Sequence, residues 1–162
     1  MSHRHSLLSH APDAAPSDEA VVRTAAPPSA RTSLETLRAA AARCRACPLW
    51  RHATQTVFGE GDAHASLFVI GEQPGHSEDL HGHPFVGPAG LLLEQAMAAS
   101  GVKREQLYLT NAIKHFKWVL RGKRRLHKSP AQKEIEACLP WLQAELELVQ
   151  PKVVLCLGAI AA

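Results

Sequence analysis

Three cysteines and a histidine pose the first chemical question in this sequence. Cys44-x-x-Cys47 and the distant Cys138 are soft donors, the kind that zinc or an iron–sulfur cluster recruits. A single Cys-x-x-Cys fits plain core thiols as well. The fourth ligand is open. Cys156 completes the count, but it lies in VVLCLG, where a small buried hydrophobe is the plainer reading. His115 ends a strand pattern, and imidazole can replace a thiolate in such sites. A second constellation is the stretch GEQPGHSED at 71–79, with Glu72, Glu78 and Asp79 just past an apolar run. Ligands of open α/β sheets bind at strand carboxyl ends, so these acids are candidates for proton transfer, against the blander reading of a solvated surface loop. Phe85 is a stacking ring or a core ring. Asn111, among apolar neighbours, braces a turn or reads a base edge, since an amide offers a donor and an acceptor together.

The third constellation is KHFKWVLRGKRRLHKSP, residues 114–130. Seven Lys/Arg (114, 117, 121, 123, 124, 125 and 128) fall here without one acid. The whole chain carries +3, so the remainder carries −4 once those seven are set aside. A basic segment interleaved with Phe116 and Trp118, on an acidic body, points to nucleic acid. His127 lies inside the cations, where neighbouring positive charge favours the neutral, nucleophilic imidazole; a phosphate-contacting His is the alternative.

These groups need a scaffold. Residues 1–31, rich in Ala, Pro, Ser and His, read as a disordered leader, and order is expected from Thr32 onward. Thr32-x-x-Glu35 has capping-box spacing, and Leu34, Leu37, Ala41 and Cys44 recur at helical period, so the helix runs up to the Cys-x-x-Cys. Ser66–Gly71 and Leu107–Ile113 read as buried parallel strands. Between them, 71–90 is rich enough in Gly and Pro to read as a long loop, followed by a helix Leu91–Ser100 stopped by Gly101. Ser129-Pro130-x-Gln132 reads as a helix start, with an apolar stripe through Ile135, Cys138, Leu139, Leu142, Leu146 and Val149. Lys152–Gly158 is a third buried strand. Alternating strands and helices predict a three-layer α/β/α fold on a parallel sheet. The chain ends where a turn would launch another helix, so a C-terminally truncated domain, lacking its last strand and helix, is expected.

Composition agrees with one domain. The 162 residues suit one unit of about 100–200 residues. Apolar residues at 46% and charged at 20% suffice for a core. No apolar run approaches the roughly 18 residues of a membrane helix. No secretory pattern precedes the four cysteines, so the expected setting is a reducing cytoplasm.

Taken in order, CRACPLW (44–50), FGEG (58–61), GEQPGHSEDLHGHPFVGPAG (71–90), TNAIKHFKW (110–118), GKRRLHKSP (122–130) and ACLPWL (137–142) resemble the uracil-DNA glycosylases of the family 4 type, specifically their UdgX subgroup. The resemblance covers Leu34 to the last residue. It implies a 4Fe-4S cluster on Cys44, Cys47, His115 and Cys138, which leaves Cys156 to the core. It implies a flipped uracil held by Gly71, Gly75, Phe85 and Asn111, with Glu72, Gln73 and His127 catalytic. In that subgroup the loop histidine bonds to the deoxyribose C1′ and stays on the DNA. Lys123, Arg124, Arg125 and Lys128 would contact DNA. The implied partner is uracil-containing DNA, single-stranded by preference, bound by a monomer. Two rivals are a turnover family 4 glycosylase that leaves a free abasic site and a non-catalytic iron–sulfur DNA-binding module. Two departures stand out: His76 replaces the subgroup's usual Asp, and its later His-Pro-Ser motif is absent from this chain.

Overall fold

In the computed structural model, residues 33–162 are described. The expected leader, and Thr32 with it, lie outside the described residues. The helices are α1 (Leu34–Ala41), α2 (His76–His81), α3 (Pro88–Ser100) and α4 (Gln132–Val149). The strands are β1 (Glu60–Gly61), β2 (Leu67–Gly71), β3 (Leu107–Asn111), β4 (Trp118–Arg121), β5 (Arg124–His127) and β6 (Val153–Cys156). One sheet has the order β1-β3-β2-β6, in which β3, β2 and β6 are parallel and β1 runs antiparallel to β3. β4 and β5 form a separate antiparallel hairpin.

The period-2 alternation of β2 and β3 sorts the core into layers. Phe68, Ile70 and Tyr108 face Leu142 and Val149 of α4. Phe68 and Tyr108, partners in register, stack with centroids 5.0 Å apart. Val69, Leu107 and Leu109 face the opposite way, onto Leu93 and Met97 of α3 and onto Phe85. Beyond α4, α1 adds Leu37 and Ala41 to a third cluster with Trp141, Cys44 and Cys138. Each large apolar side chain buried this way contributes about 1.5–3 kcal/mol. The result is the expected three-layer α/β fold on a mostly parallel sheet. No helix among the described residues is long and apolar enough to cross a membrane.

Several local expectations need correction. α1 stops at Ala41, before Cys44, and its cap is Ser33, whose Oγ accepts from the Thr36 N–H at 3.2 Å. The 71–90 stretch is not one loop. It contains α2, capped by the Glu78 carboxylate reaching back to the Gly75 N–H at 3.0 Å and ended by Gly82 at φ 80°. α3 begins at Pro88, because Pro suits a first helical turn. α4 starts at Gln132, with Glu134 rather than Ser129 satisfying its entry through the Ala131 N–H at 2.6 Å. The basic segment is a hairpin rather than an open loop. β6 is not buried: it is the end strand of the described sheet, with Val153, Val154 and Leu155 each more than two-fifths exposed.

Candidate active site

A cavity of about 620 Å³ opens at the carboxyl ends of β2 and β3. Gly71, Glu72, Gln73, Gly75, Phe85, Asn111 and His127 all line it, so the structure brings the expected base-binding and catalytic residues together. Gly71 and Asn111 are register partners, which puts both strand ends at one level. A Cβ on Gly71 would collide with Asn111 Oδ1 and come within 2.9 Å of the Phe85 ring. The amide and the ring reach the cavity floor because residue 71 has no side chain. Phe85 itself is held at φ 57°, a left-handed conformation that costs a non-glycine residue about 1–3 kcal/mol. Arg104 steadies it by donating to the Pro84 carbonyl at 2.8 Å and the Phe85 carbonyl at 3.4 Å.

The polar groups of the cavity are held but not saturated. Asn111 is 4% exposed, and its side-chain amide makes no hydrogen bond to any described residue. Glu72 Oε1 is fully buried without a hydrogen bond. It lies 3.2 Å from His127 Nε2, within ion-pair range but off the direction a ring N–H needs. Buried polar atoms are nearly always paired, so the orphaned Glu72 oxygen, with the Asn111 amide on the wall of the same cavity, marks a place open to a ligand.

His127 is carried by the hairpin, opposite Trp118. Three side chains from the 71–81 segment, Gln73, His76 and Asp79, fasten that hairpin. Gln73 Nε2 donates to the Lys128 carbonyl at 2.9 Å, and Gln73 Oε1 accepts from the Lys117 N–H at 2.9 Å. Arg125 Nη1 donates to Asp79 Oδ2 at 2.7 Å, and its Nε donates to His76 Nδ1 at 3.1 Å. The Arg125 guanidinium also stands over Phe116 and Trp118. Asp79, fully buried, further accepts from the Thr54 N–H and hydroxyl at 2.8 and 2.6 Å.

The seven cations therefore divide. Lys114 is 1% exposed and ion-paired with Glu145 at 2.5 Å. Lys117 pairs with Glu134 at 2.7 Å, and Arg125 with Asp79. Arg125 is thus engaged by the protein's own carboxylate. Arg121, Lys123, Arg124 and Lys128 are exposed and form no ion pair among the described residues. Glu78 and Asp79 are buried, so the solvated-loop alternative does not hold for them. Glu78 is 6% exposed and accepts from the N–H groups of Gly75 at 3.0 Å and Gly87 at 2.7 Å, closing the segment on itself. Sequence reasoning missed this, although Gly75-x-x-Glu78 has capping-box spacing.

Cys44, Cys47 and Cys138 are free thiols in or against one core cluster. Burial pushes the Cys47 thiol up and the Cys138 thiol up to about 12. The Trp141 indole N–H donates to Cys44 Sγ at 3.3 Å, and the Lys114 backbone N–H to Cys138 Sγ at 3.2 Å. His115 is 4% exposed, and burial holds its imidazole neutral, down to about 4. Its Nε2 sits 2.9 Å from Thr56 Oγ1. No group of three or more His, Cys, Asp or Glu among the described residues stands at single-ion spacing. Soft sulfurs with N–H donors in an apolar wall have the donor chemistry that an iron–sulfur cluster takes, and the ligands of a cluster lie further apart than those of one ion. Cys156 belongs to a different cluster, under α4.

Comparison with known proteins agrees with this geometry. The family model of the Uracil DNA glycosylase superfamily matches residues 58–162. The Type-4 uracil-DNA glycosylase of Archaeoglobus fulgidus is 40% identical over 119 residues, covering 74% of this chain and 56% of that protein. That of Thermotoga maritima is 38% identical over 119 residues, covering 74% and 58%. That of Sulfurisphaera tokodaii is 36% identical over 127 residues, covering 78% and 54%. The chain spans about half the length of these curated relatives. With the family model matching most of its length, the chain belongs to the uracil-DNA glycosylase superfamily.

Proposed function

We propose that this protein recognises uracil in DNA, excises it, and captures the resulting deoxyribose through His127. The observation that carries the reading is the pairing of open groups in one cavity: the partnerless Asn111 amide beside Phe85, and the orphaned Glu72 Oε1 3.2 Å from His127 Nε2. A base must leave the stack before its glycosidic bond is reached. Phe85 stacks on it, and Asn111 supplies the donor and acceptor that its edge needs. Gly71 and Gly75 let backbone N–H groups approach.

When the C1′–N1 bond breaks, its electron pair leaves with uracil, and the sugar becomes oxocarbenium-like. Donors already in place stabilise the departing anion. An imidazole nitrogen with a free lone pair then bonds to C1′. The positive charge left on the ring is balanced by Glu72, which can also take the ring proton. Gln73 keeps the imidazole aimed, through the hairpin backbone. Lys123, Arg124 and Lys128 neutralise phosphates, and a single strand avoids the cost of unpairing. Cys44, Cys47, Cys138 and His115 would hold a 4Fe-4S cluster whose contribution is structural, tying the N-terminal segment and α4 to the strand that carries Asn111. Such a cluster belongs in a reducing compartment such as the cytoplasm.

The test is release of free uracil from a single-stranded oligonucleotide containing one deoxyuridine. The wild-type protein should release uracil from it and nothing from a thymine control. Absence of uracil release, together with unchanged affinity for the control, would reject the reading.

A further inference from the structure

We propose that a second hollow, on the outer side of the hairpin, is a stacking subsite for the base next to the target nucleotide. The proposal rests on the reading that this protein binds uracil-containing DNA, and adds a site which that reading does not use. The hollow measures about 190 Å³ and is lined by Leu49, Phe116, Trp118, Lys128 and Glu134, among others. It is smaller than the roughly 300–1,000 Å³ of ordinary small-molecule sites, a size for one planar ring system.

Its walls suit a nucleobase. Trp118 is half-buried, and its indole N–H donates to the His52 carbonyl at 3.0 Å, which pins the ring. Arg125 stands over the same ring at 5.4 Å but does not line the hollow. Phe116, 1% exposed, backs it. The Glu134 carboxylate is occupied by Lys117 at 2.7 Å and the Ala131 N–H at 2.6 Å, so its charge is compensated. Lys128, exposed and without an ion-pair partner among the described residues, stands at the rim to meet a phosphate.

Its position suits the neighbouring nucleotide. Gln73 lines the large cavity and bonds the backbones of Lys117 and Lys128, which line the small one. The two hollows thus flank one amide. His127 lines the first and Lys128 the second, so two consecutive residues of the hairpin join them. Stacking on an aromatic face tolerates every base, so this subsite senses that a neighbouring base is present, not which one.

The experiment measures equilibrium binding of the full chain to single-stranded oligonucleotides carrying 2′-fluorodeoxyuridine, which resists glycosidic cleavage. One oligonucleotide is complete; two others replace the base on the 5′ or the 3′ side with an abasic tetrahydrofuran. Losing the base on one side, and not the other, should weaken binding about tenfold. Trp118→Ala should bind the complete oligonucleotide about tenfold more weakly and lose that discrimination, while Trp118→Phe keeps it. Equal affinity of wild type for all three, or discrimination that survives Trp118→Ala, would overturn the subsite. Equal affinity for the uracil oligonucleotide and a thymine control would reject the uracil reading itself, and the subsite with it.

Discussion

Two buried polar assemblies meet back to back on the last residues of β3. Thr110 points into one and Asn111 into the other, as strand alternation requires. Around Thr110 everything is paired. Glu145 Oε1 accepts from the Gly59 N–H at 3.0 Å and the Tyr108 hydroxyl at 3.2 Å. Glu145 Oε2 meets Lys114 Nζ at 2.5 Å, and that ammonium also donates to Thr110 Oγ1 and the Asn111 carbonyl at 2.7 Å each. Burial and then the Glu145 charge push the Tyr108 phenol up, so it remains a donor. Around the Asn111 side chain the opposite holds: its amide is open and Glu72 Oε1 is orphaned. The first assembly holds the strand end still; the second leaves its valences for a substrate.

That contrast should break cleanly under mutation. Lys114→Met leaves Glu145 buried and uncompensated, and denaturant unfolding should show a loss of about 3–5 kcal/mol. The double variant Lys114→Met/Glu145→Leu should recover only part of it, since removing the charge pair still strands the Gly59 N–H and the Tyr108 and Thr110 hydroxyls that donate to Glu145. Asn111→Ala should behave in reverse. Its unfolding free energy should stay within about 1 kcal/mol of wild type, while uracil release falls about 10²–10³-fold with the loss of a preorganised donor. Equal stability losses in the two variants would erase the distinction between the assemblies.

Smaller effects sharpen the picture. Gly71→Ala forces a methyl group against Asn111 Oδ1 and the Phe85 ring, and should cost about 1–3 kcal/mol of stability together with uracil release. The exposed cations of the hairpin should affect only salt dependence. Neutralising Lys123 and Arg124 should reduce the slope of log K against log salt by about 0.7 each on single-stranded DNA, with unfolding unchanged. Neutralising Lys114 cannot be read this way, because its charge never reaches solvent.

This division explains what was legible beforehand. The strand ends were readable because β2 and β3 carry continuous apolar runs and the motifs at their ends fall at one level. Asn111, Phe85 and Glu72 reached the same cavity for that reason. The hairpin was not readable as a fastened element. The acids that absorb its cations lie elsewhere: Asp79 in α2, Glu134 and Glu145 in α4. A local count of charge therefore does not reveal that Lys114, Lys117 and Arg125 pair within the protein. The exposure of β6 was hidden as well, since an apolar run reads alike in a covered strand and an end strand.

The central claim is that His127 is the group that bonds to the sugar. The direct measurement is a denaturing gel of the protein mixed with a single-stranded uracil oligonucleotide, with and without hot alkali. Wild type should give a slow, denaturant-stable, uracil-dependent band. His127→Ala should give none, and any uracil it releases should leave an abasic site that alkali cleaves. An adduct undiminished in His127→Ala, or a wild-type protein that yields free abasic DNA and no adduct, would contradict the account.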